Sequence, residues 1–220
     1  MLVFFDLDRT LLSKNSAVGW IRQEYRQGRM GTGMLVRAGW WLMQYHLRGT
    51  GMEEAIRDAA ATLDGVAEQD LERRTQAYWN RECLASVRPG ALKILQEHKA
   101  RGDQLVIITG SSIYLARSAA KDLGIPHVIA NRFEVQDGIF SGVVIYPLSY
   151  GQGKVELATE FAQKEAGGVS LKETRFYTDS YSDLPLLEAV GQPVVVHPDP
   201  RLLREAQKRG WEIQDWGESS

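Results

Sequence analysis

The stretch "FFDLDRTLL", residues 4–12, decides the fold, because an apolar run that begins at Leu2 leads directly into two acids, Asp6 and Asp8. Short, continuously apolar runs of this kind are typical of buried strands. Burying an unpaired carboxylate is costly. Either the run is not a strand, or the two acids meet a metal, a cation or a substrate at its end.

The composition is ordinary for a soluble globular protein, with 44% hydrophobic and 25% charged residues in 220. Lys and Arg number 26 against 28 Asp and Glu, a net charge of −2. This balance offers no electrostatic basis for binding nucleic acid. A single cysteine, Cys83, excludes an internal disulfide and a cysteine-based zinc cage. We therefore expect a reducing, cytoplasmic location.

One segment, "GMLVRAGWWLMQYHL" at residues 33–47, needs comparison with a membrane span. It is shorter than a spanning helix requires, and it contains Arg37, Gln44 and His46. The start of the chain also lacks the basic leading segment of a signal peptide. A packed amphipathic helix is favoured, so a membrane role is not expected.

Further strands are indicated by apolar runs within residues 103–112, 174–180 and 192–198. Continuous rather than alternating hydrophobicity is typical of strands covered on both faces of a parallel sheet. Helical patterns separate the runs, at 89–102, 112–124, 154–168 and 184–191. Together they predict an α/β fold with a doubly wound parallel sheet. Residues 132–146 interrupt this alternation and predict a small β-hairpin that turns at Asp137-Gly138.

The segment between the first strand and Arg88 shows no strand signal. It contains four helical patterns, at roughly 16–28, 33–48, 52–62 and 67–83. An all-helical insertion after the first strand of a parallel sheet would cover the carboxyl ends of the strands, where ligands bind. We predict a core domain of residues 1–14 and 88–220, a helical cap domain of residues 15–87, and a frayed tail at 215–220.

Polar residues cluster at four places just beyond the predicted strands. The first strand is followed by Asp6, Asp8 and Thr10, and the second by Thr109, Gly110 and Ser111. Lys154 opens a helix, and Asp179 and Asp183 follow the third strand. Each group alone could be a helix cap or a turn. All four in order, each past a strand, indicate one site at the carboxyl edge of the sheet.

Acids and a lysine around one edge favour a hard cation and an anion together. Mg²⁺ takes a few oxygen ligands, retained waters and a substrate phosphate, and Asp6 and Asp179 can supply carboxylates. Thr109 and the Gly110 amide can hold phosphate oxygens, and Lys154 adds a point charge. Such a site suits phosphoryl transfer, where positioning and charge neutralisation carry most of the catalysis.

The pattern DLDRT, ITGSS, GK and YTDSYSD resembles the four motifs of the haloacid dehalogenase superfamily, over the whole chain. The helical insertion resembles that of the phosphoserine-phosphatase-like branch. The segments "SKNSAVGW" and "YTDSYSDLPLLEAVG" are similar to a group that includes bacterial histidinol-phosphate phosphatases. The resemblance implies a Rossmann-like core and a Mg²⁺-dependent phosphatase that acts on a small-molecule phosphate ester.

The resemblance also implies a role for each motif residue. Asp6 would be the nucleophile that forms an aspartyl-phosphate, and Asp8 would protonate the leaving alcohol and then activate water. An acid at position 8 favours phosphatase over dehalogenase chemistry. Mg²⁺ would be held by Asp6, the Asp8 backbone carbonyl and Asp179. The remaining motif residues would bind phosphate or support the site: Thr109, Gly110 and Lys154 for phosphate, and Thr10, Ser111 and Asp183 in support.

Substrate choice stays open at this stage. Relatives often carry an acid after the serine that Ser16 matches, whereas this chain has Ala17, so the sequence does not indicate an amino-alcohol phosphate. The insertion's aromatic residues would fill its core or a dimer contact, or else line an apolar substrate pocket: Trp20, Trp40, Trp41, Tyr45 and Trp79. Arg37 is expected to be a solvated surface residue, and His46 is the one histidine that could lie near the substrate.

Several alternatives remain beside hydrolysis of a small phosphate ester. The same motifs are compatible with phosphotransfer to an alcohol other than water. The apolar segment at 33–47 leaves a lipid-phosphate phosphatase open, and a non-catalytic binding protein on the same scaffold is a further possibility. The chain is expected to be a monomer or a homodimer.

Overall fold

The computed structural model describes residues 1–33, 36, 37, 39, 40 and 51–218. The strands in this part are β1 Leu2–Phe5, β2 Gln104–Ser112, β3 His127–Gln136, β4 Ile139–Ile145, β5 Arg175–Thr178, β6 Gln192–Val196 and β7 Glu212–Gln214. The helices are α1 Ser16–Arg26, α2 Met52–Ala61, α3 Glu68–Tyr78, α4 Pro89–Ala100, α5 Ile113–Leu123, α6 Gln152–Lys164, α7 Leu184–Ala189 and α8 Pro200–Arg209.

All seven strands form one sheet in the order β4-β3-β2-β1-β5-β6-β7. β1 lies at its centre and pairs in parallel with β2 and β5. β5, β6 and β7 continue the parallel arrangement on one side, and β4 pairs antiparallel with β3 at the other edge. The predicted doubly wound α/β fold is confirmed, together with the hairpin, whose turn has positive φ at Asp137 and Gly138.

The central strand shows why its sequence is continuously apolar. Val3 and Phe5 face the main hydrophobic core, which includes residues of α4 and α5. Leu2 and Phe4 face a second hydrophobic core, which includes residues of α6. All four side chains are buried. Because helices cover both faces of the sheet, no position in this strand meets solvent.

Two parts of the sheet were not predicted from the sequence. The first half of β3, from His127, pairs in parallel with β2 before the strand turns into the hairpin. At the opposite edge, the helix α8 leads into the strand β7, which pairs with β6 and extends the sheet. Neither α8 nor β7 was predicted. Both missed segments are short or only partly apolar, so their hydrophobic pattern is weak.

The prediction of a frayed tail is wrong at Trp216, whose side chain is buried in the main hydrophobic core. Its backbone N–H donates to Nε2 of His197 over 3.0 Å. Gly90 makes this approach possible, because a Cβ built there would lie 2.5 Å from the Trp216 Cα. The tail is therefore held by one large aromatic side chain that seats on the start of α4.

The helical insertion (residues 15–87) is connected to the sheet by two chain segments that lie side by side. Leu12 and Val87 form an antiparallel bridge, and the amide of Ser13 donates to the carbonyl of Ser86 over 2.8 Å. A second attachment lies at the hairpin, where the amides of Gly65 and Phe140 donate to the carbonyls of Phe140 and Val66 over 3.0 and 2.9 Å. Backbone hydrogen bonds therefore join the insertion to the core at two separate places, and side chains such as Trp79 add further contacts.

The segment at 33–47 lies largely outside the described residues, and so do Trp41, Gln44, Tyr45 and His46. Arg37 is described, and its guanidinium pairs with Asp58 at 2.6 Å while the side chain remains 61% exposed. Within the described ranges, none of the helices has the length and apolarity needed to cross a membrane.

Candidate active site

The first group of polar residues lies on a turn that follows β1 directly. The amide of Asp6 donates to the Tyr177 carbonyl over 2.9 Å, so Asp6 still follows the sheet. Beyond it the chain reverses through Arg9, which has φ of 59°, and the Leu12 amide closes the turn on the Leu7 carbonyl at 2.9 Å. Leu7 is fully buried and anchors the turn, which leaves the two acids at the carboxyl edge of the sheet.

Lys154 lies at the centre of the site, on the first turn of α6. Its ammonium is 2.8 Å from Asp6 Oδ1 and 2.8 Å from Asp183 Oδ2, and all three side chains are buried. Gly153 lets the helix begin close to the sheet, because a Cβ there would lie 2.1 Å from the Leu148 carbonyl oxygen. The Thr178 hydroxyl donates to the same Asp183 oxygen over 2.6 Å.

Asp179 follows β5 and is buried beside the same group. The Thr10 hydroxyl donates to its Oδ1 over 3.3 Å, which ties the first turn to this strand end. Burial raises the pKa of Asp179 well above its usual value, and the charges of Asp6 and Asp183 add to the rise. The carboxylate is therefore held where its negative charge is poorly compensated.

These residues form the core cluster: Asp6, Lys154, Asp179 and Asp183. Burial raises the pKa of Asp6, against the lowering effect of Lys154. Burial disfavours the Lys154 ammonium, but the charges of Asp183 and Asp6 outweigh it and raise the pKa of Lys154. The cluster thus contains three carboxylates and one ammonium, which pairs with two of them, and it carries an excess of negative charge that a divalent cation would neutralise.

No group of three or more His, Cys, Asp or Glu side chains forms a closed metal cage among the residues that the structure describes. Mg²⁺ does not need one, because it keeps several waters and binds through one or two carboxylates and a substrate phosphate. Asp6 and Asp179 are buried carboxylates of the core cluster and are coupled through their charges. The donor set therefore fits Mg²⁺.

Asp8 points away from the core cluster and contacts the helical insertion. Its Oδ1 accepts a hydrogen bond from the Ser16 amide over 2.7 Å, and its Oδ2 accepts one from the Ser111 hydroxyl over 2.8 Å. Burial raises the pKa of Asp8, although the bonds from Ser16 and Ser111 act in the opposite direction. Asp8 is thus held between the insertion and the second motif, and a raised pKa suits a general acid.

Thr109 and Gly110 lie at the end of β2. The buried Thr109 hydroxyl accepts a hydrogen bond from the Ser111 amide over 3.2 Å. The Gly110 carbonyl accepts one over 2.6 Å from the side-chain amide of Asn131, whose oxygen in turn accepts one from the Ser149 amide over 2.8 Å. This chain of bonds fixes the orientation of the Gly110 peptide, while Gly110 itself remains exposed to an incoming ligand.

The structure brings all the residues named from the sequence to one edge of the sheet, but the sequence did not indicate two of their partners. Ser16 contacts Asp8 through its backbone amide, a contact that no side-chain pattern reveals. Asn131 lies in the half of β3 that was missed, so its link to Gly110 had no local signal. Its burial in the middle of β3, beside the end of β2, marks it only once the sheet is known.

A cavity of about 530 Å³ opens beside the site, within the helical insertion. Trp20 lines the cavity. Trp79 is instead fully buried in the main hydrophobic core, and its indole N–H donates to Asp122 over 2.7 Å. Trp40 is 51% exposed. The described aromatic residues of the insertion therefore divide between a cavity wall, the core and the surface.

Comparison with known proteins places the chain among phosphatases. The family profile of haloacid dehalogenase-like hydrolases matches residues 3–188. The phosphoserine phosphatase SerB1 of Mycobacterium tuberculosis is 30% identical over 97% of this chain and 70% of its own length. A histidinol-phosphatase of Neisseria meningitidis is 25% identical, with coverage of 96% and 97%. A crystal structure of a Bordetella pertussis protein of unknown function superimposes with a TM-score of 0.88 at 29% identity, with 98% of both chains covered.

Proposed function

The chain belongs to the haloacid dehalogenase-like hydrolase family and is a phosphatase, and from this premise we propose that it hydrolyses a small phosphomonoester with Mg²⁺, through an aspartyl-phosphate at Asp6. The observation that carries the proposal is the core cluster. Its Lys154 ammonium lies 2.8 Å from Asp6, in a group of three buried carboxylates. Such a group suits an anionic substrate only when a divalent cation accompanies it.

In the first step a carboxylate oxygen of Asp6 attacks phosphorus, and the bond from phosphorus to the alcohol oxygen breaks. Asp8 gives its proton to that oxygen, which leaves as the alcohol. In the second step Asp8 takes a proton from water, whose oxygen attacks the aspartyl-phosphate and releases inorganic phosphate with Asp6 restored. The two acids keep separate tasks because Lys154 pairs with Asp6, whereas Ser16 and Ser111 hold Asp8.

The phosphate oxygens would be held by the Thr109 hydroxyl, the Gly110 amide and the Lys154 ammonium. Mg²⁺, when bound by Asp6, Asp179 and the Asp8 backbone carbonyl, would neutralise charge on the transferred phosphoryl group. Asp183 would order water at the metal and also keeps Lys154 in place. Thr10 and Ser111 would support the site by fixing Asp179 and Asp8.

We assign residues 15–87 the role of a cap and the remainder that of the catalytic core. A lid over the site excludes bulk water and large polymers, so a small soluble ester is the expected substrate. The buried thiol of Cys83, whose pKa burial raises to about 11, is an inert structural cysteine compatible with a reducing cytoplasmic setting.

Replacement of the nucleophile tests the proposal. Asp6→Asn should lower hydrolysis of p-nitrophenyl phosphate in the presence of Mg²⁺ by at least about ten-thousand-fold, because removing a covalent nucleophile removes the reaction path. Asp64→Asn, at an exposed position outside the site, is the matched control and should keep full activity. EDTA should silence the wild-type enzyme, and acid quenching during turnover should trap one phosphoryl group on the protein. Undiminished turnover in Asp6→Asn contradicts the assignment.

Phosphotransfer to an alcohol other than water is the second candidate, because the same aspartyl-phosphate can be attacked by either acceptor. Adding glycerol or ethanol to the assay separates the two reactions. Hydrolysis predicts that phosphate release equals alcohol release at every acceptor concentration. A shortfall of phosphate, matched by a new phosphate ester, would show transfer instead. For a lipid-phosphate substrate, flotation of the purified protein with liposomes is the corresponding test.

A further inference from the structure

The cavity beside the site meets the catalytic residues at one end. Ser16, Gly110 and Ser111 line it there, and Ser16 and Ser111 both donate to the Asp8 carboxylate. Because Asp8 would protonate the leaving oxygen, the alcohol must extend from Asp8 toward this cavity. The nature of the leaving alcohol can therefore be inferred from the cavity, an inference that rests on the proposed function.

The cavity is too large for the alcohols of the smallest phosphate esters. Its volume of about 530 Å³ lies in the range of pockets that enclose drug-sized ligands. Apolar side chains from α1, α2, α3 and β3 line it, among them Trp20, Ile21, Met52, Ile56, Leu71 and Phe133. An aminoethyl or serine group would fill only a small part of this space.

The charged side chains of the described cavity wall already have partners. The buried Glu24 carboxylate accepts hydrogen bonds from Arg74 and, over 3.2 Å, from Arg29. Arg74 also pairs with Asp70 at 2.9 Å. Two acids and two arginines leave no net charge, so this wall does not call for a charged substrate group.

The phosphate end of the cavity also offers no described acid to an ammonium group. Asn15 uses its side-chain oxygen to accept from the Val18 amide at the start of α1. Ala17 follows, and Asp8 is occupied by Ser16 and Ser111. A substrate ammonium placed here would lose its hydration without gaining an ionic partner, which is costly.

We propose that the natural substrate is the phosphate monoester of an uncharged alcohol with a bulky apolar body, and that this body occupies the cavity of the helical insertion. The phosphate lies at Asp6, the bridging oxygen meets Asp8, and the apolar body extends past Ser16 between Trp20 and Phe133. The selectivity comes from apolar surface removed from water, and no described residue of the wall offers an unpaired charge to a polar competitor.

A series of esters with similar leaving alcohols tests the inference. We expect kcat/KM to rise on the order of 100-fold from ethyl phosphate to 3-phenylpropyl phosphate, because the cavity binds the added apolar group. Phosphoethanolamine and O-phosphoserine should fall below ethyl phosphate. If either charged ester is the best substrate, the inference is wrong although the protein is a phosphatase. If no ester is hydrolysed, p-nitrophenyl phosphate included, the proposed function fails instead.

Binding provides a measurement that does not need turnover. Calorimetry should show tighter binding of 3-phenylpropylphosphonate than of ethylphosphonate, with a negative heat-capacity change from buried apolar surface. Because phosphonates are not hydrolysed, this result is independent of the chemical step. Equal affinity for the two phosphonates would contradict an apolar subsite.

Filling the cavity provides a matched pair of variants. Ala55 lines the cavity from α2, whereas Ala77 is exposed on α3 and is not among the residues that line it. Ala55→Leu should lower the ratio of kcat/KM for 3-phenylpropyl phosphate to that for ethyl phosphate by about tenfold, and Ala77→Leu should leave this ratio unchanged. A ratio that does not change in Ala55→Leu would show that the alcohol lies elsewhere.

Discussion

The core cluster and the charged wall of the cavity differ in their balance of positive and negative side chains. In the core cluster one ammonium, that of Lys154, pairs with two of three buried carboxylates, Asp6 and Asp183. In the insertion cluster (Glu24, Arg29, Asp70 and Arg74) two carboxylates face two guanidinium groups. Arg73 also pairs with Asp70, but its side chain is 74% exposed to water. Both groups contain a buried ion pair, but only the core cluster holds more charge of one sign than its own side chains can neutralise.

This difference distinguishes a group of charges that binds a ligand from one that only stabilises the fold. A balanced group of charges satisfies itself and needs no ligand, whereas a buried excess of negative charge persists only where a ligand or function compensates for it. Burial and neighbouring carboxylates raise the pKa of Asp179. The imbalance therefore marks the place where a cation and a phosphate would enter. Each of the next three variants changes the charge balance of one of the two clusters.

The largest effect is expected from Lys154→Met. Removing the ammonium leaves Asp6 and Asp183 buried without their cation, which should lower the free energy of unfolding by about 3–5 kcal/mol. Urea unfolding in EDTA measures the change. Lys164→Met removes an exposed lysine on the same helix and should change the free energy of unfolding by less than about 1 kcal/mol. Equal effects of the two variants would contradict the view that Lys154 compensates buried carboxylates in the core cluster.

Glu24→Gln tests the balanced group. The change deprives Arg74, whose side chain is only 10% exposed, of its buried partner, so the free energy of unfolding should fall by about 1–3 kcal/mol. Urea unfolding is again the measurement. Glu72→Gln, on the exposed side of α3, is the control and should be nearly neutral. A stabilised Glu24→Gln protein would mean that this carboxylate, too, is in excess.

Asp179→Asn should act with the opposite sign. Removing one of three repelling carboxylates should raise the free energy of unfolding in EDTA by about 1 kcal/mol, as expected for a residue kept for function. Added MgCl2 should raise the Tm of the wild-type protein and not that of the variant. Asp64→Asn should keep the wild-type response. Destabilisation of Asp179→Asn in EDTA would contradict an excess of negative charge.

His98 sharpens the comparison because it is a buried titratable group outside both clusters. Its ring nitrogens lie 2.7 Å from Asp103 Oδ2 and 3.0 Å from the Tyr177 hydroxyl. Burial lowers its pKa, although Asp103 acts in the opposite direction. As pH falls below about 6.5, the unfolded chain takes up a proton that folded His98 resists, so stability is lost on acidification.

The pH-dependent part of the His98→Asn effect should be the smallest of the four changes, because it comes from the protonation of one side chain. Unfolding free energy measured from pH 8 to pH 5 should fall less steeply in His98→Asn than in the wild type. His127→Asn, at a partly exposed position, serves as the control. An unchanged pH slope in His98→Asn would show that this histidine does not titrate on unfolding.

The sequence was sufficient for features that depend on local pattern. Continuous apolar runs predicted β1 and the parallel sheet, and the polar residues beyond each strand predicted where the site would lie. Both inferences work because strand ends in a parallel sheet meet at one edge. The common position of Asp6, Thr109, Lys154 and Asp179 at this edge could therefore be predicted from the sequence, while their roles remain part of the proposal.

The features that were missed depend on contacts between distant residues. Glu24 and Arg74 pair across 50 positions, and Trp216 is buried because Gly90 leaves space for it. Ser16 contacts Asp8 through a backbone amide, which carries no side-chain signature. The size and apolarity of the cavity likewise emerge only when three helices and a strand are assembled around it.

The two attachments of the helical insertion have a mechanical consequence. One joins Leu12 to Val87, and the other joins residues 65–68 to the hairpin at 138–140. The insertion also packs on the core away from both attachments, where Trp79 is buried among core residues and its indole donates to Asp122 over 2.7 Å. A motion that carries Ser16 away from Asp8 breaks hydrogen bonds at the site, whereas a motion at Trp79 would expose a fully buried side chain. Amide exchange should accordingly be faster at Ser16 than at Gly65 and Phe140, whose amides hold the second attachment.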